Sequence, residues 1–534
     1  MRKKLCLTVM SITALAGLAA CSDEGQPGGG KGSLSSGSES SYERSVRVMF
    51  AESANQKVKP VTPISEEIFK RTKIRLVYEA IPASNYNEKK KTLLAMRNLP
   101  DIIQIDKQDM NDFASTGVLL PLTSYMNSGL TPNFSALWNK YPEMKSLTLD
   151  GELYGFPAVA RNEAKNGFGP VIRVDLLQKH GLQVPATFDE LLTTLSALKQ
   201  LYPDSVPWTM RKGTSQLLAT SAYMLGSGYS IGNGLYFDQD LDGGRYVYGP
   251  ATAQFKKVLA YFHRAFELGV LDPDYAVSTQ QQWTEKLISG RSFFFLDNSG
   301  FGLNFTRSLH RTSPGAAFQL IKVPEYAPGK ARALYYPTTI SGKIFAISSR
   351  TKDPASVVKL LDWMYGEEAS NLMNFGLEGI HYTKNEKGEP AYSASYVESF
   401  KDASPTPYYA LYSDLGCCQL GFTPLYSNTM SQFQIEKLTG NWDELNETYW
   451  QLVSRDPAYR EPILDPPLTR QEAQRVKEVN RRLNDWLEQE FDKFIMGVKP
   501  IEEYDGIISQ ALELGAAELE QIYNNAYKRF HKNG

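Results

Sequence analysis

Residues 45–106 read SVRVMFAESANQKVKPVTPISEEIFKRTKIRLVYEAIPASNYNEKKKTLLAMRNLPDIIQID. Apolar runs predict three strands in this segment, at Ser45–Phe50, Ile74–Tyr78 and Leu99–Asp106. A helix beginning near Pro63 separates the first two strands, and a Lys-rich helix over Tyr86–Arg97 separates the second pair. This β-α-β-α-β alternation predicts a parallel sheet with crossover helices. Ligands of such sheets gather at the carboxyl ends of the strands, so we expect contacts in the loops that follow them.

A second alternating block begins near Asp150, and the end of the chain is strongly helical. Thr187 and Glu190 have the spacing of a capping box, which predicts a helix start. The Gly-Gly pair inside 236–248 predicts a hairpin. Further predicted elements are strands at Ser292–Leu296 and Lys343–Ser348, a helix from Pro354 through Trp363, a helix from Thr469 to about Met496, and two helices divided at Gly515.

The composition is that of a large globular protein. The chain has 534 residues, of which 42% are hydrophobic and 22% charged, and these values exclude a disordered, collagen-like or repeat-only protein. Its formal net charge of −2 gives no electrostatic support to nucleic-acid binding. The 30 Tyr, 25 Phe and 7 Trp are more aromatic surface than a core alone needs.

The first residues predict export. Arg2-Lys3-Lys4 precede an apolar run, Leu5–Ala20, which as a helix would rise about 24 Å, short of the roughly 30 Å hydrocarbon core of a membrane. A basic start and a short apolar stretch are typical of a signal peptide over residues 1–20. Leu18-Ala19-Ala20-Cys21 resembles the lipobox of bacterial lipoproteins, and this resemblance implies cleavage before Cys21 and acylation of its thiol. Plain secretion, with Cys21 as a bystander, is the alternative.

Residues 21–41 then form the predicted tether. Thirteen of the twenty residues in 22–41 are Gly or Ser, which predicts a flexible linker with a reach of about 25 Å. Apart from Cys6 and Cys21, the only cysteines are the adjacent pair Cys417-Cys418. Two buried thiols are favoured there over a strained vicinal disulfide, so stability must come from core burial.

Seven phrases in order resemble the extracellular solute-binding proteins of bacterial ABC transporters, specifically the large sugar-binding lipoproteins. They are Leu99-Pro100-Asp101 with Gly117 to Leu122, Asp150-Gly151 to Pro157, His180-Gly181-Leu182 to Glu190, Glu267 to Asp274, Gly290-Arg291-Ser292, Gly376 to Tyr382, and Phe494 to Gly497. The resemblance implies an α/β, two-lobe periplasmic-binding-protein-like fold of type II, with hinge-linked lobes and a helical C-terminal part. By the same resemblance, lobe 1 would combine 42–157 with 299–349, and lobe 2 would combine 158–298 with 350–534.

A sugar ligand would need aromatic rings for its C–H faces and planar polar groups for its hydroxyls. The candidates are residues of these types in the loops: Asn55, Asp106, Arg161, Trp208, Arg211, Trp283, Asp297, Tyr335, Tyr336 and Tyr412. For each one, a packed core aromatic or a structural ion pair is the competing interpretation. If Trp283 contacts the ligand, Trp283→Ala should weaken binding without unfolding the protein.

No metal, cofactor or catalytic residue is predicted. Asp238, Asp240 and Asp242 copy half of an EF-hand loop, but Gly249 stands where the loop needs Glu, so a hairpin is favoured over a calcium site. Gly228-Tyr-Ser230-Ile-Gly232 fits the nucleophile-elbow string, yet a helix-like stretch precedes it where the elbow needs a strand. The five His show no zinc-binding spacing.

The resemblance therefore implies a substrate-binding component of an ABC importer that is not an enzyme. It would capture an oligosaccharide between the lobes and deliver it to the membrane permease. We expect a monomer, held by its lipid at the outer face of the cell membrane. The alternatives are an exported, lipid-anchored lyase or glycoside hydrolase, and a lipoprotein that binds peptide or metal.

Overall fold

The computed structural model describes residues 44–160, 167–241, 243–335, 340–403, 406–416, 421–427, 434–435, 437–439, 451–452 and 455–532. Its strands, numbered in chain order, are β1 Arg44–Glu52, β2 Ile74–Pro82, β3 Ile102–Ile105, β4 Thr148–Leu149, β5 Glu152–Leu153, β6 Phe156–Ala160, β7 Phe168–Arg173, β8 Leu235–Asp238, β9 Arg245–Tyr248, β10 Phe294–Asn298, β11 Phe318–Leu320, β12 Ala333–Leu334, β13 Ile340–Ile347, β14 Tyr382–Lys384, β15 Pro390–Tyr392, β16 Leu425–Tyr426 and β17 Tyr459–Arg460.

The α-helices are numbered in the same way. They are α1 Pro63–Thr72, α2 Ala83–Met96, α3 Lys107–Phe113, α4 Thr123–Asn127, α5 Pro132–Lys140, α6 Val174–Lys179, α7 Phe188–Leu201, α8 Gly213–Ser221, α9 Ala253–Glu267, α10 Gln280–Ile288, α11 Phe301–His310, α12 Pro354–Met364, α13 Glu367–Phe375, α14 Ala394–Glu398, α15 Pro407–Leu415, α16 Arg470–Ile495, α17 Tyr504–Ala511 and α18 Ala517–Lys532.

The first lobe is built on a six-stranded sheet of order β16-β6-β13-β3-β1-β2. β1 pairs in parallel with β2 and β3, which confirms the predicted β-α-β-α-β unit. β13 runs antiparallel to both of its neighbours, so the sheet is mixed. Its buried residues read as continuous apolar runs, such as Ile102 and Ile103 in β3, because helices cover both faces.

The second lobe is built on an antiparallel sheet of order β10-β7-β11, with α8 and α11 packed against it. Thr187 and Glu190 form the predicted capping box at the start of α7. The 26-residue helix α16 packs on α8 and α9, and its cap is a second box, Thr469 with Glu472. The predicted break between the last two helices is also confirmed, since Gly515 has φ 117°. Such a positive φ is accessible to glycine at little cost.

The predicted division of the chain between the lobes needs correction. β11, predicted for lobe 1 within 299–349, pairs with β7 of the second sheet. α12, predicted for lobe 2 within 350–534, packs on α5 of the first lobe, where Asp362 accepts hydrogen bonds from Asn133 and from the Phe134 amide. Residues 301–320 therefore belong with the second sheet, and 354–375 belong with the first together with α15 and β16.

Three segments connect the two sheets: β6 to β7, β11 to β13, and β16 to α16. They meet beside the second sheet, where β12 pairs in parallel with β17. Tyr335 bridges to Gly167 and stacks on Tyr459 with ring centroids 5.3 Å apart. A Cβ atom on Gly167 would lie 2.4 Å from the Tyr459 ring, so only glycine fits this approach. We call Gly167, Tyr335 and Tyr459 the hinge cluster.

Two further sequence interpretations concern the region around β8. β8 and β9 form the predicted antiparallel hairpin, with Asp238 opposite Arg245. Residues 228–232 follow α8 and precede β8, so the strand-turn-helix context of a nucleophile elbow is absent from this described stretch. Within the part of the chain that the structure describes, no helix has both the length and the apolarity to cross a membrane.

Candidate ligand-binding site

Arg211 and Asp297 form the centre of the candidate site on the second lobe. Residues 207–209 run beside β10, since the Thr209 amide donates to the Phe294 carbonyl at 3.2 Å. Arg211 follows this extension, and Asp297 lies near the carboxyl end of β10. The Arg211 Nε and Nη2 atoms each donate to the Asp297 carboxylate at 2.9 Å, and Nη1 donates to Gln280 Oε1 at 3.0 Å. This bidentate pair fixes the guanidinium plane.

Two adjoining aromatic rings also contact this guanidinium. The Arg211 Cζ atom lies 5.1 Å from the Trp283 ring centroid and 4.9 Å from that of Phe301. Cation–π contacts of this kind are typical of arginine, whose planar group is weakly hydrated. Behind it, Trp283 packs edge-on against Phe295 and Phe305. Three candidates from the sequence, Arg211, Trp283 and Asp297, are therefore in one cluster.

The first lobe reaches this cluster through Asn55 and Tyr409. Asn55 follows β1 at its carboxyl end, where the parallel sheet predicts ligand contacts. Tyr409 lies in the first turn of α15 and is 8% exposed. Burial raises the pKa of its hydroxyl, against the opposing effects of a hydrogen bond with the Asn55 side chain and the positive charge of Arg211. We call Asn55, Tyr409, Arg211 and Asp297 the cleft junction, because residues of both lobes meet there.

An open cavity of about 400 Å³ adjoins the cleft junction on the first lobe. Its lining comprises Ala54, Asn55, Lys57, Lys59, Phe400, Ala410, Ser413 and Asp414. Both lysines are paired, Lys57 with Glu52 and Lys59 with Asp414, each at 3.1 Å. Hydroxyl, amide and phenyl groups therefore face one hollow, which can accept polar edges and apolar faces of a ligand.

Asp106, another candidate, caps α3 directly after β3. Its carboxylate accepts from the Asp109 amide at 2.9 Å and from Lys90 at 3.0 Å. The Asp109 side chain in turn accepts a hydrogen bond from the Asp106 amide, which completes the capping box. Asp109 also contacts Lys90. Burial raises the pKa of Asp109 to about 6, and the Asp106 charge adds to this effect. Asp106 stays half exposed at the carboxyl edge of the sheet, so it can meet a ligand.

The remaining aromatic candidates are core residues in this structure. Trp208 packs edge-on against Phe294 at 4.8 Å, and Tyr412 donates to the Asn374 carbonyl at 3.1 Å. Trp283 is 0% exposed, and its Nε1 atom is buried without a hydrogen-bond partner among the residues that the structure describes. Because of this burial we expect Trp283→Ala to cost stability, and its predicted effect on binding without unfolding stays a prediction. Trp283 supports Arg211 from behind and offers no face to a ligand. Tyr335, at 6% exposure, belongs to the hinge cluster.

Arg161, Tyr336, Cys21 and the pair Cys417-Cys418 lie outside the described residues, so their predicted roles stay predictions.

Tyr409, Phe301 and Gln280 were missed by sequence reasoning. Tyr408, Tyr409 and Tyr412 are close together in one short helix, and no sequence pattern shows which ring faces Arg211. Gln280 could have been placed at a helix start, because Thr279 and Gln282 have the spacing of a capping box at the beginning of α10.

Arginine side chains pair with acidic residues of the segment that resembles half of an EF-hand loop. Arg332 Nη1 lies 3.0 Å from the Asp240 carboxylate and 3.4 Å from that of Asp238, and Arg460 also pairs with Asp240. These guanidinium groups pair with the carboxylates of Asp238 and Asp240, and Asp242 lies outside the described residues. Among the residues that the structure describes, no group of three His, Cys, Asp or Glu side chains is arranged to hold a metal ion.

Comparison with known proteins gives consistent matches. The profile of the family described as bacterial extracellular solute-binding protein matches residues 52–371. The polygalacturonan/rhamnogalacturonan-binding protein YtcQ of Bacillus subtilis is 23% identical over 479 residues, covering 87% of this chain and 88% of that protein. The crystal structure of alginate-binding protein AlgQ2 without calcium ion matches with a TM-score of 0.75 at 19% identity, covering 91% of this chain and 98% of that one. The Streptococcus pneumoniae ABC-transporter substrate-binding protein FusA in complex with kestose matches with a TM-score of 0.69 at 16% identity, covering 92% and 100%. These likenesses confirm the predicted type II fold class.

Proposed function

This chain belongs to the bacterial extracellular solute-binding proteins, and we propose that it captures an oligosaccharide between its lobes for delivery to the permease of an ABC importer. The observation that carries the proposal is the cleft junction, where the charge of Arg211 on the second lobe acts on Tyr409 of the first lobe, the hydrogen-bond partner of Asn55. A ligand that contacts both sides favours the closed form by its greater affinity for that form. Named ligands of the relatives include polygalacturonan, rhamnogalacturonan and fructooligosaccharide.

The chemistry of the cleft junction suits carbohydrate. Guanidinium, carboxylate, amide and phenol groups are held in fixed planes, which allows paired hydrogen bonds to vicinal hydroxyls. Phe301 places an aromatic ring beside them, and such rings cover the C–H faces of sugars. A pre-organised site of this kind avoids part of the ordering cost of binding.

The described carboxylates near the cleft junction do not form a hydrolytic pair. A glycoside hydrolase needs two carboxyl groups on either side of the scissile bond, one of them free to give a proton. Asp297 is held bidentately by Arg211. Asp109, which has the raised pKa, is only 4% exposed in side-chain area and faces Lys90 and the Asp106 amide. These contacts support binding without catalysis.

The location follows from the family, whose members are extracellular. Lipid attachment at Cys21 and a monomeric state are parts of the proposal. A lipid tether with the 22–41 linker would let the cleft open toward solvent while the protein stays close to its permease. Replacing Cys21 by Ser should release the exported protein into the medium, which cell fractionation would detect.

Thermal shift of the purified protein against a panel of neutral and acidic oligosaccharides tests the function, with product analysis of every hit. A ligand at 100 times its dissociation constant should add about 2.7 kcal/mol to the free energy of unfolding. Stabilisation with the glycan recovered intact is expected. Recovery of shortened or unsaturated products would establish the lyase or hydrolase alternative instead. A peptide library gives the third comparison, because stabilisation by peptides alone would contradict a sugar ligand.

A further inference from the structure

The second-lobe side of the cleft junction has a buried layer and an accessible layer. Asp297 and Trp283 are buried, and the Arg211 side chain is only 14% exposed. Gln280 and Phe301, which both contact Arg211, are half-buried and so reach solvent. The ion pair is therefore the support of this surface, and an amide group and a phenyl ring are the parts that a ligand can touch.

The orientation of the Gln280 amide follows from its hydrogen bond with Arg211. The Arg211 Nη1 atom donates to Gln280 Oε1 at 3.0 Å. A guanidinium group only donates, so the amide atom that faces it must be the oxygen, and the Nε2 group occupies the other corner of the amide. Asp297 holds Arg211 through two further bonds of 2.9 Å, so the amide of Gln280 rests on a fixed partner.

The Gln280 amide keeps hydrogen-bonding capacity for a ligand. A carboxamide has two N–H donors and two acceptor lone pairs, and the bond from Arg211 uses one lone pair. Within the part of the chain that the structure describes, the Nε2 group donates to no protein atom. A sugar hydroxyl both donates and accepts, so it suits a planar group that offers both functions. The Phe301 ring, 4.9 Å from the same Arg211 Cζ atom, adds an apolar surface for C–H groups.

The position of Gln280 in the fold places it at the cleft. It is the first residue of α10, directly after the cap Thr279. Its partner Arg211 is paired with Asp297 near the carboxyl end of β10, and the charge of Arg211 acts on Tyr409 of the first lobe. A ligand held between the lobes would therefore meet the Gln280 amide from the second-lobe side.

We propose that Gln280 is a specificity-determining residue that contacts the oligosaccharide directly, with its Nε2 group donating to a hydroxyl oxygen of a sugar ring that packs on Phe301. Arg211 and Asp297 hold the amide in place for this contact. The inference rests on the proposed function and deepens it, because it assigns recognition of a hydroxyl to one amide group. Glycans with a free hydroxyl at this position are then preferred over glycans that lack it.

Calorimetric titration of the purified protein tests the inference, with the trisaccharides kestose, maltotriose, xylotriose and trigalacturonic acid as probes. Any further oligosaccharide that stabilises the protein in the thermal-shift panel is added to this set. Each probe that binds the wild type is then titrated into three variants, and the melting temperature of each variant is measured beside its affinity.

Gln280→Glu distinguishes a direct contact from a supporting role. The carboxylate keeps an oxygen for Arg211 Nη1 but replaces the two Nε2 donors by a second acceptor. We expect the affinity for the bound probe to fall by about tenfold or more, because a sugar hydroxyl loses its donor, while the melting temperature does not fall. Gln280→Met removes both the donors and the contact with Arg211, so its affinity should also fall by about tenfold or more.

Gln281→Glu is the matched control for the added charge. Gln281 is the next residue in the first turn of α10, and it is exposed. The substitution is the same, but among the described residues no hydrogen bond joins this side chain to Arg211. Its affinity for the same probe should stay within about twofold of the wild-type value.

The outcomes separate this inference from the proposed function. Unchanged affinity in Gln280→Glu, with a loss only in Gln280→Met, would show that Gln280 merely supports Arg211 and would overturn the direct contact. Equal losses in Gln280→Glu and Gln281→Glu would assign the effect to charge, and they would overturn it too. In both cases the proposed function stands. Failure of every oligosaccharide to bind the wild type would reject the proposed function and this inference together.

Discussion

Arg211 shows how one side chain can organise a binding surface. Its Nε and Nη2 atoms donate to Asp297 and its Nη1 atom donates to Gln280, while the adjoining rings of Trp283 and Phe301 lie about 5 Å from its Cζ atom. Such confinement lowers the entropy that a long side chain loses when a ligand arrives. Trp283 is a core residue, and we expect it to affect ligand binding only by holding Arg211 in position.

Substitution Trp283→Ala should destabilise the protein by roughly 3–5 kcal/mol, since it empties a fully buried site enclosed by rings. Trp138→Ala provides the comparison, because Trp138 is only partly buried on α5 and should cost less. Denaturant unfolding monitored by circular dichroism measures both values. A loss at Trp283 no greater than that at Trp138 would show that this tryptophan is not a core residue.

Candidate site residues could be predicted from the sequence where a planar polar side chain also lies next to a predicted strand. Arg211 and Asp297 are planar polar groups beside predicted strands, and they form a pair although 86 positions separate them. Trp208 and Tyr412 are aromatic like Phe301 and Tyr409 of the candidate site, but they pack into the core. The sequence alone does not distinguish these cases, because the direction of a side chain depends on neighbours that are distant in the chain.

At the scale of elements, helix starts were the most predictable feature. Thr187 with Glu190 and Thr469 with Glu472 both form capping boxes, because hydroxyl and carboxylate at this spacing satisfy backbone amides without tertiary contacts. The α3 box is different, since Asp106 and Asp109 place two carboxylates on one buried lysine. Burial raises the pKa of Asp109, and the negative charge of Asp106, which shares the single lysine, raises it further.

The box at α3 predicts an unusual pH dependence. Asp109 has a pKa of about 6 in the folded protein, above its ordinary value of 3.8, so the folded state binds its proton more tightly than the unfolded state. Stability from this group is therefore full below about pH 4 and is lost as the pH rises through 6. Asp109→Asn removes the titration and leaves Lys90 paired with Asp106.

The variant should equal or exceed the wild type in stability at pH 7, by at most about 3 kcal/mol, and this advantage should shrink toward pH 4. Urea unfolding of both proteins between pH 4 and 7.5 measures the difference. A difference in the free energy of unfolding that stays constant across this range would contradict the raised pKa.

For the whole molecule, the hinge cluster joins all three connections between the sheets. Tyr335 and Tyr459 stack while Gly167 lies against the Tyr459 ring, so a rotation of one lobe must carry these groups together. Hinge motions are absorbed by a few residues at element ends, which is where these three lie. The sequence predicted two lobes by resemblance but placed β11 in lobe 1 and α12, α15 and β16 in lobe 2, because the partners of these elements are set by long-range packing.

Gly167→Ala should distort the hinge cluster, because the new Cβ atom would lie 2.4 Å from Tyr459. We expect a loss of roughly 1–3 kcal/mol in stability and a smaller ligand-induced decrease in radius of gyration by X-ray scattering. Gly506→Ala is the control, since a Cβ there meets open space within helix α17. That change should stabilise by up to about 1 kcal/mol and leave closure intact. Normal closure in Gly167→Ala would exclude the cluster as the hinge.

The position of β16 has a consequence for how the molecule folds. β16 completes the first sheet beside β6, and its Leu425 pairs with Val159, 266 positions earlier in the chain. Contacts between such distant segments form slowly, because a long loop must close first. A chain that emerges from its N-terminus would therefore keep one edge of β6 unpaired until most of the second lobe had followed. Such an edge can pair with another chain, so yield during biogenesis should depend on chaperones that protect this late-closing sheet.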